Sequence, residues 1–160
     1  MKIQIESLSR SHASADFDCG EPDLNEWLRR YARQNQSRHL SRTLVATDSG
    51  SSKVFGYCTI SVTTVADSKS YRKGYVIPVL LIGRVAVELE AQGQGIGRLL
   101  LATALNLALE IDAKVGIQQV MITANNSSLA RYYERFGFKV VDPESLTLAL
   151  PINDLIKSAI

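Results

Sequence analysis

The residues with the clearest chemical meaning form the glycine-rich stretch Gln92-Gly93-Gln94-Gly95-Ile96-Gly97. This stretch follows a mostly apolar, strand-like run, 80–87, and precedes an apolar-periodic run, 99–111. A glycine turn between a strand and a helix collects unpaired backbone N–H groups at the positive end of the helix dipole. The pattern therefore predicts an anion-binding loop, to which Arg98 at the helix start could add charge. A turn that only connects two elements is the alternative.

The spacing of the glycines excludes two common phosphate-binding loops. The loop of nucleotide hydrolases, G-x-x-x-x-G-K-[ST], requires a Gly-Lys pair that the chain does not contain. The dinucleotide fingerprint G-x-G-x-x-G requires glycine where the chain has Arg98 or Leu100. The remaining pattern is Q-x-x-G-x-G, formed by Gln92, Gly95 and Gly97.

A second segment, 126–138, matches the spacing N-x-x-x-A-x-x-Y-x-x-x-G-F, with Asn126 first and Tyr133 at the aromatic position. The two motifs, in this order and each at a strand–helix junction, resemble those of the GNAT superfamily of N-acetyltransferases, which use acetyl-CoA. The resemblance implies the GNAT fold, with acetyl-CoA as cofactor and CoA as product.

A third segment narrows the resemblance. The run Phe17-Asp18-Cys19-Gly20-Glu21-Pro22-Asp23-Leu24-Asn25, followed by Leu28, is similar to the N-terminal signature of TacT-like GNAT toxins. Such toxins acetylate the α-amine of the amino acid on charged tRNA, which blocks translation, and a ribbon–helix–helix antitoxin neutralises them. The resemblance covers roughly residues 15–150 and implies charged tRNA and such an antitoxin as partners. A homodimer that joins two basic patches is a further implication.

The resemblance also assigns residues to the cofactor. Residues 92–97 would hold the pyrophosphate through backbone N–H groups. The strand residues Val85, Ala86 and Val87 would pair with the pantetheine arm and offer an N–H to the acetyl oxygen. Arg84 lies one residue earlier, and two roles are open for it: buried structural pairing or a cofactor contact.

Tyr133 is the candidate catalytic residue, as the general acid. A phenol has a pKa of about 10, so Tyr133 stays protonated at neutral pH and can donate to a departing thiolate. Its neighbour Tyr132 points to another face of the helix and is expected to pack. Asn126 would either bond the pantetheine arm or cap the helix.

No general base stands out. His12 and His39 lie away from the motifs, and Glu88 and Glu90 could act through water or belong to an exposed loop. A base is not essential, because the α-amine of an aminoacyl ester is less basic than lysine and is partly neutral near pH 7.

Positive charge is concentrated in two segments of a chain whose net charge is only +2. Because cationic clusters bind polyanions, these side chains are the candidate tRNA contacts. Scattered, solvated surface cations are the alternative. The candidates are Arg29, Arg30, Arg33, Arg38, Arg42, Lys69, Arg72 and Lys73.

The first half of the chain predicts a strand over 2–7 and then a helix over 24–36. Asp23 and Glu26 have the spacing of a capping box. The apolar stripe of the helix comprises Leu24, Trp27, Leu28, Tyr31 and Ala32, which leaves Arg29, Arg30 and Arg33 facing away from the core. Strands follow over 43–47 and 54–65, and a basic loop over 67–75.

The second half predicts a strand that starts after Pro78, because proline cannot donate to a ladder. The helix after the glycine turn is expected to bury Leu100, Ala104, Leu107, Ala108 and Ile111. A strand over 117–124, a helix from Ser127 or Ser128 to about 136, a strand over 145–150 and a helical tail over 153–160 complete the series. The order indicates an α/β (or α+β) fold with helices on a mixed sheet, and the resemblance adds a mostly antiparallel sheet with a splayed central strand pair.

The bulk properties predict a single domain over 1–160 in the cytoplasm. The composition is 46% hydrophobic and 21% charged, with no membrane-length apolar run and no signal peptide in the first residues. Cys19 and Cys58 lack metal-site spacing, so we expect no metal and a reducing compartment.

Two other functions remain open at this point. A small-molecule or protein N-acetyltransferase would share the cofactor site without needing two basic segments. A non-catalytic acyl-CoA-binding or RNA-binding module belongs to another class, and the Tyr133 motif together with the glycine loop argues against it.

Overall fold

The computed structural model describes residues 2–66 and 75–158 and contains one mixed sheet of seven strands in the order β1-β2-β3-β4-β5-β7-β6. The strands are β1 (Ile3–Ser7), β2 (Arg42–Asp48), β3 (Val54–Ala66), β4 (Val76–Val87), β5 (Gln119–Thr123), β6 (Lys139–Asp142) and β7 (Thr147–Pro151). The helices are α1 (Pro22–Glu26), α2 (Ala32–Ser37), α3 (Ile96–Val115), α4 (Ser127–Glu134) and α5 (Ile152–Ser158). A π-helical turn, Trp27–Tyr31, joins α1 to α2, and a 3₁₀ turn, Leu89–Ala91, follows β4.

The sheet contains both antiparallel and parallel ladders. The pairs β1–β2, β2–β3, β5–β7 and β6–β7 are antiparallel. Strands β4 and β5 run parallel, with Val79–Ile82 opposite Gln119–Ile122. Because β4 continues to Val87, its residues 83–87 lie beyond that ladder. The predicted mixed, mostly antiparallel sheet is confirmed.

The chain forms two compact units: residues 1–61 with 83–104, and residues 62–82 with 105–160. In the first unit a helical segment from 22 to 37 packs on β2, β3 and β4 through a buried cluster. Leu28 and Tyr57 are both fully buried at its centre. Burial of large apolar side chains of this kind stabilises the unit, at roughly 25 cal/mol for each Å² of apolar surface.

The helical segment departs from prediction at its start and in its middle. Pro22 occupies the first helical position after Glu21, and no side chain caps the helix, so the predicted Asp23–Glu26 capping box is wrong. Proline is favoured at this position because its missing N–H is one of the unpaired donors anyway. The π-helical turn then shifts the later residues around the axis, so Ala32 is buried while Tyr31, predicted to be buried, is 45% exposed.

In the second unit, the core lies between β5, β7 and the helices α4 and α5, with Val120, Ile122 and Leu148 buried. The sequence did not predict β6, whose four residues are all exposed and therefore lack the alternation of a half-buried strand. α4 ends at Glu134, and Gly137, with φ +100°, terminates the turn after it.

Two further expectations need correction. β4 begins at Val76 and includes Pro78, which lies just before the ladder with β5, so its missing N–H removes no bond from that ladder. Along α3, Leu100, Ala104 and Ala108 are buried as predicted, whereas Leu107 and Ile111 are only half-buried.

Candidate functional site

The glycine turn lies in the first unit and leads directly into α3. Gly93 and Gly95 have φ angles of +83° and +84°, which is the left-handed region that side chains with a Cβ rarely adopt. A Cβ at either position would meet no atom within 4 Å, so backbone conformation requires glycine here, and the space above the turn is open. The Leu99 N–H bonds the Gly95 carbonyl at 3.0 Å and closes the first turn of the helix. This arrangement leaves N-terminal amides available to an anion, and an acyl-CoA pyrophosphate fits it.

The segment that enters the glycine turn is held by the loop at Asp18. The Asp18 N–H donates to the Glu88 carboxylate at 2.9 Å, and the Leu89 N–H donates to the Asp18 carbonyl at 2.9 Å. Glu88 is only 7% exposed, so of its two alternatives the exposed loop is wrong. The other alternative, a base that acts through water, is untested, and the Glu88 carboxylate already accepts this structural bond.

Gln92 adds a second tie between the same two segments. Its side-chain N–H₂ group donates to the Cys19 carbonyl at 3.2 Å and to the Val87 carbonyl at 2.9 Å. The amide donors of the Gln92 side chain are therefore bonded to the chain's own carbonyls, and the backbone of Gln92 is left for the predicted contact with pyrophosphate. Nearby Gly20 has φ +90°, and a Cβ there would lie 3.0 Å from the Leu89 side chain. The backbone conformation therefore requires glycine, whereas the exposed Leu89 side chain could move to make room.

Asn25 completes this arrangement from the helix side. Its Oδ1 accepts the buried Cys19 N–H at 2.8 Å, and its Nδ2 donates to Asp18 Oδ1 at 3.0 Å. The Asp18 carboxylate also accepts the Gly20 N–H at 2.9 Å. This bond from Gly20, and then the bond from Asn25, lower the pKa of Asp18 below its ordinary value. The Asp-Cys-Gly and Leu-Asn parts of the N-terminal signature are therefore a hydrogen-bonded brace for the glycine turn.

An aromatic and cationic stack lies beside this brace. The Trp27 ring stacks on Tyr57 with centroids 6.0 Å apart and an interplanar angle of 12°. The Arg84 guanidinium lies 4.3 Å from the Trp27 centroid. The Tyr57 hydroxyl donates to the Leu24 carbonyl at 2.7 Å, and burial raises the pKa of Tyr57. Buried structural pairing was one of the two alternatives for Arg84. Within residues 2–66 and 75–158 Arg84 forms no ion pair, and its contact with Trp27 is a cation–π stack.

The other cofactor residues of the first unit occupy the end of β4 and the start of α3. Val85 and Val87 are half-buried, and Ala86 is buried in the cluster under the helical segment. Arg98 is exposed in the first turn of α3. Their roles toward pantetheine and phosphate stay predictions.

Tyr133 and Asn126 belong to the second unit, at the two ends of α4. Asn126 Oδ1 accepts the Leu129 N–H at 2.9 Å, so the capping alternative for this residue is confirmed. Tyr133 is 5% exposed and lies against Phe138, with ring centroids 6.4 Å apart. Tyr132 is half-buried and packs edge-on to Phe136, which is the packing role that the sequence predicted.

The predicted tRNA-binding arginines differ in how far their charge is already used. Arg33, expected to face solvent, is half-buried and donates to the carbonyls of Ser9 and His12 and to Ser14 Oγ. Arg30 pairs with Glu26 at 3.2 Å on the helix surface. The remaining three, Arg29, Arg38 and Arg42, are exposed, and Lys69, Arg72 and Lys73 lie outside the described residues.

A groove of about 570 Å³ opens beside β1 and α2, and Arg42 and part of Arg33 line it. Arg10 and His39 also line the groove, and none of the described lining residues is acidic. Arg10 and His39 are far apart in the sequence, so no local sequence pattern joins them in one site.

Among the described residues, no group of three or more His, Cys, Asp or Glu side chains could hold a metal ion. In the same part of the chain, no helix is long and apolar enough to cross a bilayer.

The comparisons with known proteins agree with this geometry. Residues 39–140 match the family model described as an acetyltransferase (GNAT) domain. A curated relative, the tRNA-acetylating toxin of Mycobacterium tuberculosis (strain ATCC 25618 / H37Rv), is 28% identical over 143 residues, which cover 86% of this chain and 85% of the relative.

Solved structures match almost the whole chain. AtaT complexed with acetyl-methionyl-tRNAfMet superposes with a TM-score of 0.89 at 25% identity, covering 99% of this chain and all of the other. AtaTR bound with AcCoA gives a TM-score of 0.88 at 26% identity, covering 99% of each chain. A mutant AtaT toxin bound to the C-terminus of the antitoxin AtaR gives 0.86 at 25% identity, covering 99% of this chain and 98% of the other. Since the family model spans more than half of the residues, this chain belongs to the GNAT acetyltransferase family.

Proposed function

We propose that this chain is an acetyl-CoA-dependent N-acetyltransferase toxin that acetylates the α-amine of aminoacyl-tRNA and thereby blocks translation. The observation that carries the proposal is the match over 99% of the chain to AtaT in complex with acetyl-methionyl-tRNAfMet. The curated tRNA-acetylating relative supports the same substrate class.

The glycine turn supports acetyl-CoA as the cofactor. Its positive φ angles at Gly93 and Gly95, and the open space above them, suit a pyrophosphate held by backbone N–H groups. Acetyl-CoA, when bound, supplies the thioester that the amine attacks. The chain's own contribution there is to hold the anionic end through residues 92–97, with Arg98 adding charge.

Tyr133 is proposed as the proton donor to the departing sulfur. A phenol has an ordinary pKa of about 10, so this residue type brings a proton to donate at neutral pH. With acetyl-CoA bound, Tyr133 would give its phenolic proton to the sulfur that leaves as the amine takes the acetyl group, and it would regain a proton from the acetylated nitrogen or from water. The side chain of Asn126 caps α4 and so fixes the start of the helix that carries Tyr133.

The exposed arginines and the basic groove are proposed to bind tRNA phosphates. Arg29, Arg38 and Arg42 are exposed and carry no ion pair within the described residues, although Arg29 also donates to the Ala15 carbonyl at 3.4 Å. Arg33, in contrast, is held by three hydrogen-bond acceptors of its own chain. Contacts of this kind position a substrate without reading its sequence. The cytoplasm, where charged tRNA is found, is the compartment that the proposal implies.

An antitoxin is the proposed protein partner. The support is the solved complex of an AtaT mutant toxin with the C-terminus of AtaR. By the sequence resemblance, we propose that the antitoxin here is of the ribbon–helix–helix type. A homodimer that joins two basic patches stays a prediction.

The test is an acetyl-transfer assay with labelled acetyl-CoA and total charged tRNA. Uncharged tRNA is the substrate control, and Tyr133→Phe and Tyr132→Phe are a matched pair of variants. We expect label on the aminoacyl fraction, a loss of at least about 100-fold in Tyr133→Phe, in line with general acid catalysis, and little change in Tyr132→Phe.

The outcomes separate the parts of the proposal. Undiminished label on aminoacyl-tRNA with Tyr133→Phe would support charged tRNA as the substrate and refute the role of Tyr133. Absence of label on tRNA, with acetyl-CoA binding intact, would refute the tRNA substrate and favour a small-molecule or protein amine.

A further inference from the structure

The side chain that the proposed function leaves unexplained is Arg84. Its guanidinium is half-buried and lies 4.3 Å from the centroid of Trp27. Within the described ranges 2–66 and 75–158, it has neither a hydrogen-bond acceptor nor an ion-pair partner. A guanidinium carries a fork of N–H donors and never loses its charge, so a half-buried one without an acceptor is costly unless a ligand completes it.

The stack gives this guanidinium a fixed orientation. One face of Trp27 carries Arg84, and the ring also stacks on Tyr57. The Tyr57 hydroxyl is anchored on the Leu24 carbonyl at 2.7 Å. The ring against which the guanidinium lies is thereby anchored, and this restricts Arg84 in a way that suits a planar, bidentate partner such as an oxyanion.

The position of Arg84 in the chain indicates which oxyanion it would meet. It directly precedes Val85–Val87, the segment proposed to bind next to the thioester. The pyrophosphate of the cofactor is assigned to residues 92–97, further along the chain. An anion close to Arg84 therefore belongs to the acceptor substrate rather than to the cofactor's phosphates.

The chemistry of the acceptor narrows the choice further. In an aminoacyl-RNA, the aminoacyl ester and its amine carry no negative charge. The nearest negative charge is the phosphodiester on the 5′ side of the terminal ribose. A free lysine side chain offers no such group. A rigid arginine beside the thioester segment thus suits an RNA end and gives no benefit to an isolated amine.

Resting on the proposed function, we propose that Arg84 is a positioning residue that binds the phosphodiester preceding the aminoacylated terminal nucleoside. It would set the distance of the amine from the thioester by fixing the ribose between them. Trp27 and Tyr57 act by holding the guanidinium in its plane.

Two minimal acceptors test this directly: an aminoacyl-adenosine, which has no phosphodiester, and the same aminoacyl group on cytidylyl-adenosine, which has one. Steady-state kcat and KM are measured with both for wild type, Arg84→Gln and Arg84→Lys. Lys114→Gln serves as the control, since it removes one exposed positive charge near the end of α3. Thermal unfolding and acetyl-CoA affinity are measured for every variant.

We expect wild type to prefer the dinucleotide substrate by at least about tenfold in kcat/KM, which corresponds to one good charge-assisted contact. Arg84→Gln should lose that preference, mainly through a higher KM, while its activity on aminoacyl-adenosine changes less than about twofold. Arg84→Lys should retain part of the preference, because it retains the charge but not the planar fork. Lys114→Gln should behave as wild type.

Equal losses of Arg84→Gln on both acceptors would indicate a merely structural role and overturn the inference. So would a wild-type enzyme that uses both acceptors equally well, and in that case the proposed function would stand. If Arg84→Gln does not fold, the loss or retention of the preference in Arg84→Lys decides the inference. Failure of wild type on both small acceptors and on charged tRNA would overturn the proposed function, and this inference with it.

Discussion

Replacing Asn25 by alanine tests whether the N-terminal brace holds the glycine turn. Asn25 is 8% exposed and joins Cys19 to Asp18 through its two amide atoms. Alanine removes the acceptor of the buried Cys19 N–H, and the α1 helix itself remains compatible with the substitution.

The magnitude follows from this one buried donor. Leaving a buried N–H without a partner costs about 1–3 kcal/mol, and the higher helix propensity of alanine returns about 0.6 kcal/mol. The lost hydrogen bond to the Asp18 carboxylate is given no free-energy contribution, because that carboxylate is exposed to solvent. The difference, a net loss of about 0.4–2.4 kcal/mol, lowers the Tm of a domain of this size by about 1–10 °C. Asn35→Ala is the matched control, since Asn35 is a half-buried residue of α2 whose side chain makes no hydrogen bond within the described residues.

Acetyl-CoA affinity provides the functional measurement. If the brace holds residues 88–92 in place, the binding-competent turn is populated less in Asn25→Ala. The affinity loss cannot exceed the stability lost, so the Kd should rise by no more than about 60-fold. Calorimetric unfolding and isothermal titration of both variants measure the two effects.

Two results would refute this reasoning in different ways. An unchanged Tm would show that the Cys19–Asn25 bond contributes nothing to stability. A lowered Tm with an unchanged Kd would show that the brace stabilises the fold without positioning the glycine turn.

Three further predictions concern a backbone conformation, a thiol and a carboxylate. Gly95→Ala and Gly116→Ala should each lose about 1 kcal/mol of stability, since both glycines have positive φ with open space around them. Only Gly95→Ala should weaken acetyl-CoA binding, and equal Kd values of the two variants for acetyl-CoA would argue against the anion site. Burial raises the pKa of Cys58 to about 12, so an aromatic disulfide reagent should label Cys58 only on unfolding, and rapid labelling of native protein at pH 8 would contradict its burial. The hydrogen bond from His12 at 2.8 Å lowers the pKa of Glu6. Glu6 therefore contributes stability above its ordinary pKa of 4.5, and this contribution is lost as pH falls through the lower pKa of the folded state. The stability difference between wild type and Glu6→Gln, measured from urea midpoints, should shrink from pH 7 to pH 3, and a constant difference would speak against this linkage.

The sequence predicted those elements whose signal is local. The positive φ angles at Gly93 and Gly95 follow from glycine itself, and α3 follows from a 3.6-residue apolar period next to them. The position of Asn126 at the helix start could likewise be predicted, because capping depends on residues three apart.

The features that the sequence did not predict depend on tertiary contacts. The bond between Asp18 and Glu88 joins residues 70 positions apart, and no periodicity reports such a pair. The π-helical turn that exposes Tyr31 requires one extra residue per turn, and a search at a single helical period cannot detect it. Strand β6 is exposed throughout, so it lacks the polar–apolar alternation by which a strand is recognised.

A count of charges along the sequence does not show which arginines can bind a ligand, because that also depends on tertiary contacts. Arg33 and Arg42 both belong to the basic N-terminal segment and look equivalent in the sequence. In the structure, Arg33 already donates to Ser9, His12 and Ser14, so replacing it would free the loop that it holds as well as remove a charge. Arg42 is exposed and lines the groove, and within the described residues its side chain makes no hydrogen bond or ion pair, so its charge is available to a phosphate. The same distinction applies to Arg84: within residues 2–66 and 75–158 this cation stacks on Trp27 without an acceptor of its own, and by our proposal the substrate supplies that acceptor.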